Sequence, residues 1–301
     1  MLHTKSSPLI PADVAKNSEQ TYLDNYNAIT KETGRLFLFS CDQKIEHLNK
    51  DFYGPGIDPD AMHPEHLFKI ANAGRIGAMA AHLGLIARYG RKYSDINYIV
   101  KLNAKTDLIP AAQQDPISQQ LWQVEDALQL KKDSGLPIRG IGYTIYLGSE
   151  QEPTMLNQAA QAVYTAHQHG MLAILWIYVR GKSIKDASDA HLIAGATGLA
   201  ASLGADFVKI KPPLTTHDLQ IACAAAGTTK VICAGGSVVP PEQFLRTLHE
   251  QLQGGGSSGC ATGRNIFQKS LPDAIAFTQA IAALIYDDAD VDEALRIYKR
   301  T

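Results

Sequence analysis

Two lysines stand two positions apart in the run Ala205-Asp206-Phe207-Val208-Lys209-Ile210-Lys211-Pro212-Pro213. The run has the length of a strand and stops at two prolines, and side chains along a strand alternate between its two faces. Lys209 and Lys211 are therefore expected on one face of a buried strand. A buried strand rarely carries lysine without a chemical role, although two solvated lysines beyond the strand end would give the same spacing.

A desolvated lysine beside a second cation has a lowered pKa, and its free amine can attack a carbonyl group to form a Schiff base. The spacing therefore makes Lys209 a candidate nucleophile. Lys211 is then the neighbouring cation that lowers the pKa of Lys209.

The same alternation of strand and helix patterns continues in both directions from this run. Strands are predicted at residues 35–42, 76–80, 98–103, 140–146, 172–179, 205–211, 230–234 and 258–262. Helices are predicted at residues 64–74, 154–169, 187–203, 241–252 and 271–285, among others. Eight alternating units predict an α/β fold, a closed (β/α)8 TIM barrel, and no G-x-G-x-x-G motif follows the first strand as a dinucleotide fold would require.

The chain is expected to form a single barrel domain over residues 35–301, preceded by an N-terminal helical extension over residues 1–34. Within that extension, a polar helix over residues 12–33 would cover one end of the barrel. The acidic tail, residues 287–298, predicts an extra C-terminal helix. Residues 43–64 are rich in Gly, Pro and Asp, which favours a functional loop after the first strand.

Composition excludes several classes of partner. The formal net charge is -2, with 45% hydrophobic and 19% charged residues, so neither nucleic acid nor a membrane is expected as a partner. No apolar run approaches the roughly 20 residues that span a bilayer. Residues 1–8 lack the apolar core of a signal peptide, so the expected location is the cytoplasm.

Cysteine and histidine spacing gives no metal-site signature. The four cysteines, Cys41, Cys223, Cys233 and Cys260, form no C-x-x-C pair and are interpreted as small buried apolar residues. Of the ten histidines, His167 and His169 are two positions apart on a predicted helix and would not face each other, and no His-x-x-x-His pair occurs. Metal catalysis is therefore disfavoured, while a site assembled from distant residues stays open.

Reactive groups in such a barrel come from the C-terminal ends of the strands. Those ends offer Asp42, Lys101, Asn103, Tyr146, Trp176, Tyr178, Lys209 and Lys211. Trp176 and Tyr178 share a face, either as core filler or with the Tyr178 hydroxyl as a proton donor or acceptor.

Glycine turns follow the last two predicted strands. Gly235 and Gly236 follow the seventh strand, and Gly263 and Arg264 follow the eighth. Such loops let backbone N–H groups approach a phosphate, and an arginine can add two parallel charge-assisted hydrogen bonds to it. The alternative is a pair of ordinary turns, but barrels of this class often bind phosphate at these two loops.

Several motifs in the chain carry a resemblance to a known family. They are Cys41-Asp42-Gln43-Lys44-Ile45-Glu46-His47, Gly142-Tyr143-Thr144-Ile145-Tyr146-Leu147-Gly148-Ser149, Trp176-Ile177-Tyr178-Val179-Arg180-Gly181, Val208-Lys209-Ile210-Lys211, Ala234-Gly235-Gly236 and Gly263-Arg264-Asn265-Ile266. In order and spacing, from about residue 35 to about residue 285, they resemble the archaeal-type class I fructose-bisphosphate aldolases, the DhnA-like aldolase family.

The resemblance implies a role for each matching residue. Lys209 would form the Schiff base, Tyr178 would transfer protons, and Asp42 would contact substrate hydroxyls and assist imine chemistry. The substrate-binding set would be Trp176, Lys101, Lys211, Gly235, Gly236, Gly263 and Arg264, the last four holding phosphate. Members of the family are homo-oligomers that act on a phosphorylated sugar without a metal or other cofactor.

The resemblance has one departure. Most such aldolases carry Asp-His-Gly after the first strand, whereas this chain carries Asp42, Gln43 and Lys44. Lys44 is expected to place a bulky cation near the pocket mouth, which would change the accepted aldehyde or phosphate.

The predicted function is a class I aldolase of glycolysis and gluconeogenesis that interconverts fructose 1,6-bisphosphate with dihydroxyacetone phosphate and glyceraldehyde 3-phosphate. The alternatives are a related Schiff-base lyase, transaldolase or thiolase acting on another sugar phosphate, and a barrel that binds a phosphosugar without turnover.

Overall fold

The computed structural model describes residues 8–300, and within them eight parallel strands close into a barrel. The strands are β1 (Leu36–Ser40), β2 (Ala78–His82), β3 (Tyr98–Lys101), β4 (Ile138–Leu147), β5 (Leu172–Val179), β6 (Phe207–Ile210), β7 (Lys230–Ala234) and β8 (Gly259–Thr262). Strands that follow one another along the chain also pair in the sheet, and Leu36 opposite Gly259 closes the ring. The predicted TIM barrel is confirmed.

Each strand divides its side chains between the barrel interior and the surrounding helices. On β1, Leu38 belongs to the inner cluster, and Phe37 and Phe39 to the outer one. The inner cluster also contains Ile174 and Phe207. Both faces of the strands are buried, which explains why they are nearly continuous apolar runs in the sequence.

Helices surround the barrel between successive strands. They are α1 (Glu19–Thr30), α2 (Gln43–Glu46), α3 (Pro64–Ala73), α4 (Leu83–Tyr89), α5 (Val124–Ser134), α6 (Glu152–Gln168), α7 (Ala190–Ser202), α8 (Thr216–Ala225), α9 (Pro241–Gln253), α10 (Arg264–Phe267), α11 (Leu271–Tyr286) and α12 (Val291–Lys299). Within the described part of the chain, no helix is long and apolar enough to cross a membrane.

Helix α1 packs across the end of the barrel where the strands begin. The Tyr26 ring stacks on Phe207 at 5.7 Å between ring centres, and the Tyr22 hydroxyl donates a 2.5 Å hydrogen bond to Asp206. This contact closes the lower end of the interior, so the cavity of the barrel opens only towards the carboxyl ends of the strands among the described residues.

Several element boundaries differ by a few residues from the sequence prediction, and for two of them the structure shows the reason. The second strand spans Ala78–His82 rather than residues 76–80, because its pairing with β1 starts at Leu38 opposite Ala78. The leading helix spans Glu19–Thr30 rather than residues 12–33, since Lys31 adopts the left-handed conformation with φ of 52° and ends it. The first shift places His82 at the carboxyl end of β2.

Cys41, Cys233 and Cys260 are buried and Cys223 is half-buried, in agreement with their interpretation as packing residues. The predicted absence of a signal peptide concerns residues 1–8, of which 1–7 lie outside the described part of the chain.

Candidate active site

A cavity of about 450 Å³ opens at the carboxyl ends of the strands. Its polar lining consists of Asp42, Gln43, Glu46, His47, Tyr178, Arg180, Lys209, Lys211, Gly235, Gly236, Ser237, Gly263 and Arg264. The structure thus gathers eight of the ten predicted site residues around one space, and the other two, Lys101 and Trp176, are buried close by.

Lys209 points into the barrel and is only 5% exposed. Its Nζ donates a 3.1 Å hydrogen bond to the Ser40 hydroxyl. Burial lowers the pKa of Lys209, the carboxylates of Asp42 and Glu46 oppose that shift, and the guanidinium of Arg264 adds to it. A lowered pKa gives the free amine that nucleophilic attack on a carbonyl requires.

Lys211 does not act as predicted on the pKa of Lys209. Strand β6 ends at Ile210, so Lys211 lies beyond it and is exposed at the cavity wall. The cation that lowers the pKa of Lys209 is Arg264, and burial is the larger cause. Solvent screens an exposed ammonium, which is the physical reason for the difference.

Trp176 is 1% exposed and lies within reach of two buried ammonium groups. The Nζ atoms of Lys101 and Lys209 are each 5.5 Å from the centre of its ring. Gly142 makes room for this ring, because a Cβ there would lie 2.4 Å from a ring carbon. The indole therefore separates and supports the two lysines beneath the cavity.

Lys101 is held by Asn103 rather than directed freely into the cavity. Its Nζ donates to the Asn103 carbonyl at 2.8 Å and to Asn103 Oδ1 at 2.7 Å. Burial lowers the pKa of Lys101 to about 8, and the charge of Lys209 contributes in the same direction. Lys101 is thus a second buried amine near the nucleophile.

Tyr178 lines the cavity, and its ring stacks on Tyr146 at 6.2 Å between centres. Burial raises the pKa of Tyr178 well above its usual value, and the nearby charges of Asp42 and Glu46 act in the same direction. The phenol is consequently protonated at neutral pH and can donate a proton to a reacting atom.

The glycine loops after β7 and β8 are tied together by Asn265. Its Nδ2 donates to the carbonyls of Gly235 and Ser237 at 3.0 and 3.1 Å, and its Oδ1 accepts from the Val239 N–H at 3.0 Å. Gly236 has φ of 65°, a conformation that glycine adopts without strain. These loops and Arg264 form one wall of the cavity.

Three ionisable cavity-lining residues had no predicted role, namely Glu46, His47 and Arg180. Glu46 lies one helical turn after Asp42, and it accepts a 3.0 Å hydrogen bond from the Tyr146 hydroxyl across the mouth. Arg180 stands two residues after Tyr178. The sequence signals that could have identified them are the i+4 spacing of Glu46 from Asp42 and the i+2 spacing of Arg180 from Tyr178.

Lys44 is not placed as predicted. Its Nζ donates to the Met62 carbonyl at 3.2 Å and lies 4.0 Å from the centre of the Phe52 ring. Gln43 faces the cavity instead, because the short helix α2 turns Lys44 to its other side. The departure that faces the cavity is therefore glutamine in place of histidine.

Several buried polar atoms around this site lack a hydrogen-bond partner among residues 8–300. They are Asp42 Oδ1, Gln43 Oε1, Trp176 Nε1, Thr262 Oγ1 and both ring nitrogens of His82. Burial lowers the pKa of His82 to about 4, so its ring is neutral at physiological pH. Unpaired buried polar groups are costly and cluster where a ligand or water completes the structure.

A buried lysine with a lowered pKa, a protonated tyrosine and a glycine-rich wall at the carboxyl ends of a β/α barrel define a Schiff-base enzyme of the aldolase class. The sequence profile of the DeoC/LacD family aldolases matches residues 36–269. The chain belongs to this family, and the predicted family resemblance and enzyme class are confirmed.

Relatives agree over nearly the whole chain. A protein of Methanocaldococcus jannaschii described as fructose-bisphosphate aldolase/6-deoxy-5-ketofructose 1-phosphate synthase is 50% identical over 96% of this chain and 94% of its own. The structure of a fructose-bisphosphate aldolase from Slackia heliotrinireducens superposes with a TM-score of 0.96, at 50% identity, over 99% of this chain and 95% of its own.

An archaeal fructose-1,6-bisphosphate aldolase, solved with its catalytic lysine bound to the carbinolamine intermediate, is also similar. It superposes with a TM-score of 0.76 at 29% identity, over 87% of this chain and 98% of its own.

Proposed function

We propose that this chain is a class I aldolase that interconverts fructose 1,6-bisphosphate with dihydroxyacetone phosphate and glyceraldehyde 3-phosphate. The main support for the proposal is the buried amine of Lys209. It lines a cavity whose wall is formed by the glycine loops after β7 and β8 and by Arg264. The described activities of the M. jannaschii and S. heliotrinireducens relatives support it.

In the cleavage direction, Lys209 attacks the C2 ketone to form a carbinolamine, which loses water to give an iminium ion. Asp42, with one unpaired buried oxygen among the described residues, contacts the substrate hydroxyls and assists this dehydration. The Asp42 carboxylate takes the proton of the C4 hydroxyl while the iminium accepts the electron pair of the C3–C4 bond, and the aldehyde half leaves. Tyr178 then gives a proton to C3 of the enamine, and hydrolysis releases dihydroxyacetone phosphate.

Gly235, Gly236, Gly263 and Arg264 hold the phosphate of the ketone half in this proposal. Lys211, exposed at the same wall, adds a second cation for it. Trp176 and Lys101, buried below the cavity, contact the carbon chain of the sugar in this proposal.

Borohydride reduction tests the proposal directly. Incubation with dihydroxyacetone phosphate and borohydride should inactivate the enzyme and add the mass of one reduced adduct per chain. A panel of other ketose phosphates, run in parallel, separates fructose-bisphosphate aldolase from a related lyase, transaldolase or thiolase. A protein that binds the phosphates but forms no adduct is a non-catalytic barrel.

A second activity is favoured by the charge pairing at the side of the cavity near Arg180. Arg180 lies 3.2 Å from Asp107 and 3.5 Å from Glu46, and Lys105 lies 2.9 Å from Asp107. These pairings leave less positive charge for a phosphate on the aldehyde half. The name of the M. jannaschii relative includes synthesis of a ketose with phosphate at C1 alone. We propose that this chain also condenses an unphosphorylated 2-oxoaldehyde with dihydroxyacetone phosphate, which a condensation assay measures.

The cellular setting follows from this activity. We propose that the enzyme is a cytoplasmic homo-oligomer that serves glycolysis and gluconeogenesis. Light scattering of the purified protein measures the subunit count, and cell fractionation measures the location.

A further inference from the structure

Five charged side chains form a continuous chain across the mouth of the cavity, which we call the charged arch: Arg264, Asp51, His47, Asp107 and Arg180. Arg264 Nε is 3.7 Å from Asp51 Oδ2, and the same oxygen is 2.5 Å from His47 Nδ1. On the other side, His47 Nε2 is 3.4 Å from Asp107 Oδ2, and Asp107 Oδ1 is 3.2 Å from Arg180 Nη2.

The arch joins loops that are far apart in the sequence. Asp51 and His47 follow β1, Asp107 follows β3, Arg180 follows β5 and Arg264 follows β8. His47 is the central member, and both of its ring nitrogens face a carboxylate. The two arginines line the cavity from different sides, since β6 and β7 lie between their strands.

We propose that His47, as an imidazolium, is a positioning residue that fixes Asp51 and Asp107 and through them aims Arg264 and Arg180 into the cavity. A neutral imidazole has one N–H, so one carboxylate would then face a lone pair. Only the imidazolium directs an N–H towards Asp51, its hydrogen-bond partner, and also towards Asp107, which lies at ion-pair distance from Nε2. The side chain therefore coordinates the two arginines of the site without touching the reacting atoms.

The electrostatic surroundings favour the charged ring. The hydrogen bond to Asp51 raises the pKa of His47 against the opposite effect of burial, and the charges of Asp51, Glu46 and Asp107 raise it further. The cations that face these carboxylates, Lys105, Arg180 and Arg264, complete a balanced set. As the pH rises through the raised pKa of His47, the ring loses its charge and the arch loses its central bridge.

The same atoms include three possible metal ligands, since donor atoms of Glu46, His47 and Asp107 lie within 4.8 Å of one another. Asp107 is already paired with Lys105 and Arg180 at 2.9 and 3.2 Å. These protein cations occupy the positions around the carboxylate that a metal ion would need, and the bridging imidazolium accounts for the cluster.

The inference rests on the proposed function, because it takes Arg264 as the clamp for the phosphate of the ketone half and Arg180 as a contact for the aldehyde half. Two conservative variants separate the two arms of the arch. In His47→Asn the amide nitrogen can replace Nδ1 and keep the Asp51 arm. In His47→Gln it can replace Nε2 and keep the Asp107 arm.

We expect His47→Gln to weaken the binding of dihydroxyacetone phosphate about tenfold, with little effect on the KM of the aldehyde in the condensation assay. His47→Asn should raise the KM of the aldehyde and leave the ketone phosphate nearly unaffected. The matched control is His169→Gln, an exposed histidine at the opposite end of the barrel, which should change neither constant.

Two further measurements distinguish positioning from simple packing. In the native enzyme, affinity for dihydroxyacetone phosphate should fall as the pH rises through the raised pKa of His47, beyond the fall seen in His47→Gln. Nitrogen-15 NMR of the native protein at pH 7 should show both ring nitrogens of His47 protonated, a result that needs no variant to fold.

A neutral His47 at pH 7, or equal losses at both substrate halves in both variants, would overturn the inference. If native protein forms no borohydride adduct, the proposed function fails instead. In that case binding of inorganic phosphate by native protein and by His47→Gln still tests the Asp51 arm: weaker binding by the variant supports it and equal binding overturns it.

Discussion

Tyr178 shows how a single side chain acquires its role from its surroundings. It lies in a cavity lined by two carboxylates, and burial holds its pKa well above the usual value for a phenol. A phenol that is hard to ionise is a proton donor at neutral pH, which suits the enamine stage of an aldol reaction.

Tyr178→Phe should therefore separate imine formation from turnover. The ring and its stacking on Tyr146 remain, so the Schiff base should still form and accumulate, while kcat falls by about 10²–10⁴. Single-turnover borohydride trapping and steady-state assays measure the two steps. Near-normal turnover in this variant would reduce Tyr178 to a packing residue.

Arg264→Ala tests the phosphate wall. Charge-assisted hydrogen bonds contribute about 1.5–3 kcal/mol each, so removal of the guanidinium should raise the KM for phosphorylated ketoses. It should also lower kcat, because the phosphate positions the ketone over Lys209. Activity on an unphosphorylated ketose serves as the control and should change little. Equal losses on both substrates in a folded variant would show that Arg264 is not the clamp.

Lys209 and Lys44 show which properties of a single residue can be predicted from the sequence and which cannot. The strand pattern correctly predicted that Lys209 lies on a buried strand, because this depends only on the local sequence. The cation beside it and the direction of Lys44 depend on chain segments from distant strands. Arg264 and the Phe52 ring supply those contacts, and no local spacing encodes them.

At the scale of elements, helix α1 is joined to the barrel through a buried ionic cluster. His167 of α6 is fully buried, and its ring nitrogens lie 3.0 Å from Asp13 and 3.2 Å from Asp206. Burial alone would lower the pKa of His167, but the hydrogen bonds to Asp206 and Asp13 raise it to about 9. The cluster connects the segment before α1, helix α6 and the start of β6.

This cluster predicts a pH-dependent stability. Because the folded-state pKa of about 9 exceeds the usual 6.5, the stabilisation is complete below about pH 6.5 and is lost as the pH rises through 9. His167→Gln should lower the free energy of unfolding at pH 6.5 by about 3–5 kcal/mol, since it removes the cation between two carboxylates, of which that of Asp206 is buried. The variant should also lose most of the pH dependence between 6.5 and 9.

Denaturant unfolding at several pH values measures this effect. The exposed neighbour His169, changed to Gln, is the matched control and should keep the native profile. If native stability were flat between pH 6.5 and 9, His167 would not be the charged partner of Asp13 and Asp206.

The strands of the barrel could be predicted from the sequence because each of them packs in the same way. Strands buried on both faces give continuous apolar runs, so all eight appear in the sequence. The short helix α2 has four residues, too few for a periodic pattern, and its place across the mouth depends on Glu46 meeting Tyr146 of β4. That contact joins a helix and a strand 100 positions apart, and for this reason the sequence indicated only a functional loop there.

At the scale of the whole molecule, the fold places the two buried lysines, Lys101 and Lys209, and most of the unpaired buried polar atoms of the described residues at one end of the barrel, and it closes the other end with α1. The lysine on β6 is thereby buried in protein yet open to a ligand. The proposed chemistry requires that one nitrogen to be the nucleophile.

Borohydride reduction with dihydroxyacetone phosphate, followed by peptide mass mapping, tests that claim most directly. We predict one reduced adduct, on Lys209, and neither adduct nor turnover in Lys209→Met. Lys101→Met is the control for a second buried amine, and its adduct should still map to Lys209. An adduct on Lys101 or Lys211 of the native protein, or turnover in Lys209→Met, would contradict the account.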